Sequence, residues 1–265
     1  MFMFDPHSPF ITAPDPLLPR QKSDLAEERL RLAVLHCQLA PGATATEADL
    51  ADRFGLGRAA TRSALAKLSA QGLMLAIPRL GWRVLPMTGA HIGQVLHAIA
   101  FAEGALADAD LTSRDKDRLQ ELAAIAATLG DRTEPAVRDS LRSYERTARD
   151  LAADRINPLI GQLLSTLWDK ADRIRRFLEM TTGARLPATD MAGLCDALIR
   201  GDADALARAC RADQQAFRDF AADGLMQTRN ELELTPAPSG TKTAMTAFSR
   251  PDAGKDAPTP TVRIE

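Results

Sequence analysis

Apolar residues recur at steps of three and four in the N-terminal third of the chain and predict helices over 23–39 and 58–71. Between them, the capping-box pattern Thr-Ala-Thr-Glu at 44–47 predicts the start of another helix. Residues 73–77 and 82–85 are short strand-like runs joined by a Gly-containing turn. Two helices, a turn, a third helix and a hairpin follow the order of a winged helix-turn-helix.

The middle of the chain keeps the helical period and contains no strand-like run. The predicted fold class is therefore mainly α: an N-terminal winged helix-turn-helix with a small β-hairpin wing, followed by an all-α helical-bundle domain. The helices expected in the second domain span 89–109, 113–129, 134–155, 158–180, 189–199 and 203–229.

Both ends of the chain have the composition of disordered segments. Residues 1–19 contain five prolines, and the residues after about 235 are rich in Pro, Thr, Ser and Ala without a period. The expected organisation is a disordered arm at 1–19, a DNA-binding domain at 20–88, an all-α effector-binding and dimerisation domain at 89–232 and a disordered tail at 233–265.

Composition excludes several protein classes. No apolar run approaches the roughly 18 residues that a membrane span requires, and the N-terminus lacks the basic region of a secretory signal. Three scattered cysteines suit neither a disulfide framework nor a thiolate metal cluster. We therefore expect a cytoplasmic protein without a membrane segment.

The net charge of −2, from 33 Lys and Arg against 35 Asp and Glu, hides a segregated distribution. Residues 53–83 contain six basic residues and no acidic one, as expected for a phosphate-binding face. Arg58 and Arg62 lie four apart and project from one side of the third helix, where arginine can bind guanine O6 and N7. Simple solvation of a surface by arginines is the alternative interpretation, which the coincidence with the helix-turn-helix order disfavours.

Small residues beside these arginines would allow close approach to DNA, and two further arginines flank a glycine at the hairpin tip, where a wing could contact the backbone or minor groove. The candidate DNA-binding residues are Arg53, Arg58, Ala59, Thr61, Arg62, Lys67, Arg79, Gly81 and Arg83.

Residues 41–84 resemble the DNA-binding domain of GntR-family bacterial transcription regulators. The chain departs from the family pattern at Gly57, at Ala59-Ala60, at Thr61 and at Ser63, and Ala59 lacks a hydroxyl that could contact DNA. The shared residues are Pro41, Gly42, Leu50, Ala51, Gly55, Arg58, Arg62, Ala64, Leu65, Leu68, Gly72, Leu73, Gly81 and Val84.

The helical domain resembles the FadR-like subfamily, whose C-terminal domain is of the FCD type, in its Ala-Glu-Gly at 102–104, Asn-Pro-Leu at 157–159 and Gly-Asp at 201–202. The resemblance implies effector binding and dimerisation. Many members bind a divalent metal through one Asp and three His, and those positions correspond to Leu141, Glu145, Met191 and Asp213 here. Because the chain has no histidine after His97, a three-imidazole site is impossible and no metal or other cofactor is expected. A hard cation held by the two carboxylates stays an open alternative.

Asp213 falls on an apolar stripe of the last helix, where an unpaired carboxylate would be costly. A buried salt bridge from Asp213 to an arginine and an effector pocket are equally compatible with this pattern. If there is a pocket, its arginines suit a carboxylate or phosphate, and its apolar residues an acyl-type ligand. The candidate effector-binding residues are Arg142, Tyr144, Glu145, Arg149, Arg173, Met191 and Asp213.

These observations predict a homodimeric repressor that binds a pseudo-palindromic double-stranded operator and responds to a small metabolite. The alternatives are a winged-helix protein-interaction module and a regulator that has lost its effector response. An enzyme is not expected, because the helical domain has no histidine after His97, no Gly-rich phosphate loop and no nucleophile beside a base.

Overall fold

The computed structural model describes residues 22–130, 132 and 134–232, with side chains from 23 to 227. The segments predicted to be disordered, 1–19 and 233–265, lie outside the described residues. Two separate clusters of buried apolar side chains divide the described chain. One is formed by residues between 26 and 84, and the other by residues between 92 and 221.

The first cluster is built by three helices and a small sheet, as the apolar spacing predicts. Leu30, Leu50, Leu65 and Leu68 are almost completely buried and join the three helices in one core. The elements are α1 (Lys22–Leu35), β1 (Thr44–Ala45), α2 (Glu47–Phe54), α3 (Arg58–Ala70), β2 (Met74–Ile77) and β3 (Gly81–Val84).

The sheet has a strand that the sequence analysis missed. The three antiparallel strands lie in the order β1-β3-β2, and Thr44 pairs with Arg83. The expected capping box at 44–47 is therefore wrong in its register, because Thr44 belongs to β1. Thr46 is the N-cap of α2, where its hydroxyl accepts from the backbone N–H of Asp49 at 3.2 Å and the Asp49 carboxylate accepts from the N–H of Thr46 at 3.0 Å.

The second cluster contains no strand within the described residues, in agreement with the predicted mainly α class. Its helices match the expected ones, except that the predicted helix over 89–109 changes to a 3-10 turn at Glu103–Asp108. The elements are α4 (Gly89–Ala102), α5 (Ser113–Leu129), α6 (Pro135–Ala153), α7 (Pro158–Thr182), α8 (Met191–Arg200) and α9 (Ala203–Leu232).

Helix α7 is the central element of the helical region and packs against α4, α6 and α9. Its start is fixed by Asn157, whose side-chain oxygen accepts from the N–H of Leu159 at 3.0 Å, with Pro158 in the first turn. Leu164, Ile174 and Leu178 on its inner face are completely buried. This burial fixes the direction of the polar side chains on the remaining faces of α7.

The two clusters meet where α1 packs against α7. Arg31 of α1 forms an ion pair with Asp169 of α7, and the thiol of Cys37 lies 3.8 Å from the carbonyl oxygen of Arg173. Arg173, a candidate effector-binding residue, is only 1% exposed and donates to the carbonyl oxygen of Leu85. Its assignment to the effector site is therefore corrected: Arg173 lies at the domain junction, because its face of α7 points towards the winged helix.

None of the described helices combines the length and the apolar character needed to cross a membrane.

Gly81 is a position where the backbone requires glycine. Its φ is +100°, and a Cβ atom built on it would lie 2.7 Å from the carbonyl oxygen of Ala45 in β1. We predict that Gly81→Ala lowers the free energy of unfolding by about 1–3 kcal/mol, because it combines backbone strain with a backbone clash. Urea denaturation measures this loss. Gly93→Ala in α4 is the control, because nothing lies within 4 Å of its added methyl group, and equal stability of the two variants would contradict the prediction.

Candidate nucleic-acid interface and helical-domain cavity

Helix α3 presents a basic outer face because its opposite face is buried. Ala64, Leu65 and Leu68 are completely buried against the core, so Arg58 and Arg62 on the other side are exposed. Ala59 is exposed beside them and leaves the surface flat at this point. An exposed helix face of this kind has the shape and charge that fit the major groove.

Thr61 does not belong to this face, in contrast to the sequence-based assignment. It is completely buried, and its hydroxyl donates to the carbonyl oxygen of Gly57 at 3.1 Å. The hydroxyl is thus used inside the first turn of α3. Position 61 lies three residues before Ala64 and so shares its buried side.

The absence of acidic residues between 53 and 83 does not extend to the folded surface. Arg62 pairs with Glu47 of α2 at 2.9 Å. Lys67 pairs with Glu27 of α1 at 2.8 Å, and the hydrogen bond with Glu27 raises the pKa of Lys67. Acidic residues from outside the basic segment therefore pair with Arg62 and Lys67.

The wing contributes further arginines on a tightly folded tip. Arg79 is exposed and has a left-handed backbone with φ of 67°, and the exposed Arg83 donates from Nε to the carbonyl oxygen of Gly42 at 3.1 Å. Gly81, assigned to the DNA site from the sequence, packs against the backbone of β1. Leu80, which the sequence analysis did not select, is 66% exposed between Arg79 and Gly81. Arg53 lies over the ring of Phe54 at 5.6 Å.

The helical region encloses a cavity of about 510 Å³, a volume typical of small-molecule sites. Five of the seven candidate effector-binding residues line it: Arg142, Glu145, Arg149, Met191 and Asp213. Tyr144 does not line it and packs against the apolar cluster instead, because it points to a different side of α6. Arg173 and Tyr144 are therefore the two candidate effector-binding residues that the structure places outside the cavity.

Arg149 occupies one end of the cavity and is surrounded by carboxylates. Its guanidinium lies 2.6 Å from Asp213, 3.3 Å from Glu145 and 3.7 Å from Glu103. Burial lowers the pKa of Arg149, but the three carboxylates, Glu145 first, outweigh burial and raise it overall. Glu103 is itself almost completely buried and also accepts from the indole N–H of Trp168 at 2.9 Å. Both a salt bridge and a cavity are therefore present at Asp213.

The carboxyl group of Asp213 has its pKa raised to about 6. Burial is the largest cause, and the negative charges of Glu145 and Glu103 add to it, while the ion pair with Arg149 acts in the opposite direction. Burial of this carboxyl group therefore outweighs its ion pair with Arg149.

The other end of the cavity has the opposite charge balance. The carboxylate of Glu179, which is 6% exposed, forms ion pairs with Arg142 at 2.5 Å, Arg175 at 3.0 Å and Arg185 at 3.7 Å. Burial, and then the positive charge of Arg175, lower the pKa of Arg142. Residues 185–190 also line the cavity.

Sequence reasoning missed several cavity residues from other elements. The spacing of four from Arg142 to Arg146 on α6 could have indicated Arg146. The remaining ones lie far apart in sequence, and no local pattern connects them: Glu103, Trp168, Arg175, Arg185 and Thr189.

Comparison with known proteins identifies the N-terminal domain. Residues 22–84 match the family model of bacterial regulatory proteins of the gntR family. These residues contain the described helix-turn-helix and wing. Residues 22–84 are a DNA-binding domain of the gntR family.

Solved structures show that the likeness in fold extends beyond the matched domain. McbR/YncC of E. coli superposes with a TM-score of 0.59 at 20% sequence identity, over 78% of this chain and 99% of that one. A GntR transcriptional regulator from Rhodococcus sp. RHA1 gives a TM-score of 0.58 at 20% identity, over 77% and 98% of the two chains. No curated protein matches this chain in sequence. The matched family consists of regulatory proteins rather than enzymes.

The four positions that correspond to metal ligands in the resembled subfamily all line the cavity: Leu141, Glu145, Met191 and Asp213. A metal ion does not fit them. Leu141 has no donor atom, and the guanidinium of Arg149 binds both carboxylates at the place where a cation would be coordinated. Within the described residues, no group of three His, Cys, Asp or Glu side chains has the geometry to hold a metal.

The raised pKa of Asp213 predicts a pH-dependent stability. Because its pKa of about 6 in the folded protein lies above the ordinary 3.8, the folded state binds this proton more tightly, and ionisation destabilises the fold as the pH rises from about 4 to 6. Asp213→Asn should therefore raise the free energy of unfolding by up to about 3 kcal/mol at about pH 7.5. Urea denaturation at this pH and at about pH 4, where the difference should vanish, measures the effect. The exposed Asp196→Asn is the control, and a less stable Asp213→Asn at the higher pH would contradict the prediction.

The ion pair between Glu47 and Arg62 predicts that a neighbouring acid weakens DNA binding. Glu47→Gln should tighten binding to a random-sequence duplex about two- to fivefold, because it frees the Arg62 guanidinium for a phosphate. Fluorescence anisotropy at low salt measures the affinity. Glu121→Gln removes a comparable exposed ion pair on α5 and should change nothing. Unchanged or weaker binding by Glu47→Gln would show that Arg62 does not approach DNA.

Proposed function

We propose that the regulator is a homodimeric repressor whose binding to a pseudo-palindromic operator is controlled by a small molecule in the helical-domain cavity. The observation that supports this most strongly is a continuous series of ion pairs from the cavity wall to the winged helix. The cytoplasm is the corresponding place of action.

The DNA-contacting surface in this proposal is the exposed face of α3 together with the wing. Arg58 has no ion-pair partner among the described residues and lies near the N-terminal end of α3, which enters the major groove first in helix-turn-helix complexes. Arg62 follows one turn later. Arg79 and Arg83 on the wing reach the neighbouring phosphates or the minor groove.

Arg146 links the cavity to the domain junction. It lines the cavity, and its guanidinium binds Asp169 of α7 at 2.8 Å and Asp150 at 2.8 Å. The side chain lies 5.6 Å from the ring centroid of Trp168, which also lines the cavity. A ligand that contacts Arg146 or Trp168 therefore acts directly on the position of Asp169.

Asp169 connects Arg146 to the DNA-binding domain. The same carboxylate accepts from Arg31 of α1. Helix α1 packs against α3 through the core that contains Leu30 and Leu65. A displacement of Asp169 would thus shift the helix that supports the DNA-contacting face.

Dimerisation is supported by an exposed aromatic side chain on the helical region. Phe101 of α4 is 87% exposed, which is unusual for a large apolar residue. A dimer would place two α3 helices on half-sites about one helical turn apart, and this is the reason to expect a pseudo-palindromic operator.

The DNA assignment predicts a specific effect of two substitutions. Arg58→Ala and Arg62→Ala should each weaken binding to a duplex selected from a random library by about 1–3 kcal/mol, because each removes a base or phosphate contact. Gel-shift titration on selected and random duplexes measures this effect. The control is Arg114→Ala, which removes an exposed arginine on α5. Unchanged affinity of both variants on both duplexes would favour a protein-interaction module instead.

The domain junction predicts a measurable coupling between Arg31 and Asp169. In a double-mutant cycle of Arg31→Gln and Asp169→Asn, the two residues should show a coupling free energy of unfolding of about 1–2 kcal/mol, because the ion pair is partly buried. Urea denaturation of the four proteins provides the values. A parallel cycle with Arg118→Gln and Glu121→Gln, an exposed pair, should give a much smaller coupling. Equal coupling in the two cycles would remove Arg31 and Asp169 from the proposed connection.

A further inference from the structure

The two ends of the cavity differ in charge, and we infer that its ligand is a zwitterion: an ammonium group and a carboxylate joined by a short apolar chain. This inference rests on the proposed function, since it names the class of the small molecule that the cavity binds. It narrows the carboxylate or acyl ligand expected from the sequence.

The end around Arg149 has an excess of negative charge. Three carboxylates share the one guanidinium there, and all of them line the cavity with it. The two carboxylate oxygens of Glu103 accept hydrogen bonds from the indole N–H of Trp168 at 2.9 Å and from the side-chain amide of Gln214 at 2.7 Å. The carboxylates of Glu145 and Asp213 share the positive charge of Arg149 and have room for a second positive charge.

Glu145 and Asp213 are the carboxylates that remain available to a ligand. Their side chains are 24% and 22% exposed, and each is bound to the same nitrogen of Arg149. An ammonium group has three donors and could bind both carboxylates together. Its positive charge would also relieve the repulsion between them.

The end around Glu179 has an excess of positive charge. Arg142 and Arg175, which are 21% and 6% exposed, share this one buried carboxylate, and Arg185 lies beside it. Their other acidic neighbours, Asp139 and Asp172, are 68% and 45% exposed and therefore screened by water. A ligand carboxylate would bind two guanidinium groups here through charged hydrogen bonds.

The spacing of the two ends sets the length of the ligand. Arg142 and Glu145 lie three residues apart on α6, and Arg142 and Arg149 seven, which corresponds to roughly 4–11 Å along the helix axis. Leu141, Met191 and Phe217 line the cavity with these groups and provide an apolar wall. The charges of the ligand are accordingly separated by several methylene groups rather than by one carbon atom.

A ligand with one charge would leave one end of the cavity uncompensated. A monocarboxylate binds the basic end of the cavity and leaves the acidic end without a positive charge. A simple amine binds the acidic end and leaves the basic end without a negative charge. Both charges in one molecule satisfy both ends, so a zwitterion should bind more tightly than either half alone.

The test uses 6-aminohexanoate with two probes that lack one charge, hexanoate and hexylamine, on the full-length chain. Isothermal titration calorimetry should show 6-aminohexanoate binding at least about tenfold more tightly than either of the others. The same ranking is expected when the ω-amino acids from four to eight carbons are compared with their single-charge analogues. Hexanoate or hexylamine binding as well as the zwitterion, or no binding in the whole series, would overturn the inference.

Two variants assign the ends. Glu145→Gln should weaken the binding of 6-aminohexanoate about tenfold and leave the binding of hexanoate unchanged. Arg142→Gln should weaken the binding of both of these ligands, because both have a carboxylate. Asp196→Asn, an exposed acid on α8 outside the cavity, is the control. Melting curves verify that each variant is folded. An equal loss of 6-aminohexanoate and hexanoate in Glu145→Gln would contradict the assignment of the ammonium group.

Failure of this inference differs from failure of the proposed function. If a thermal-shift screen of metabolites finds a ligand with only one charge, and that ligand changes the DNA affinity, the zwitterion is wrong and effector control stands. If 6-aminohexanoate binds with the expected ranking but changes the DNA affinity of neither this chain nor its cavity variants, the ligand class stands and its regulatory role is wrong.

Discussion

The buried guanidinium of Arg149 is the interaction on which the centre of the helical domain depends. It lies among Asp213, Glu145 and Glu103, which come from three different parts of the chain. Without it, three carboxylates in a poorly hydrated space would repel one another, and such burial of charge is costly. The same guanidinium stands where a cation would bind, so it explains both the packing of this end and its incompatibility with a metal ion.

Three arginines of helix α6 form ion pairs at three different places in the structure. Arg142, Arg146 and Arg149 lie at steps of three and four, and they share one side of the helix. The first binds Glu179 at the basic end of the cavity, the second binds Asp169 at the domain junction, and the third binds the carboxylates at the acidic end. One regular helix thereby brings the cavity and the connection to α1 into a single set of ion pairs.

The elements of the fold were largely predictable, because burial of leucines at helical spacing decides where helices form. The winged helix order and the cavity positions of Arg142 and Arg149 follow from such patterns, whereas Glu145, Met191 and Asp213 were located through the resemblance to the FadR-like subfamily. The two-residue strand β1 was not predictable, since its register depends on pairing with β3 almost forty residues away.

Long-range ion pairs were the main source of error. The pairing of Lys67 with Glu27 and of Arg62 with Glu47 depends on how α1 and α2 pack on α3, which no local charge count shows. Arg173 was misplaced because periodicity separates buried from exposed faces but does not say which buried face meets the cavity and which the junction. Glu103 and Arg185 join the cavity only through tertiary packing.

The proposed function requires that the cavity and the DNA-binding face are coupled, and coupling between two sites is reciprocal. Amide hydrogen exchange of the full chain, with and without a duplex selected from a random library, tests it without knowledge of the effector. We expect DNA to change the exchange in α3 and the wing, and also in α1, in α6 and in residues 185–190, which line the cavity. A change confined to residues 44–84 would contradict it.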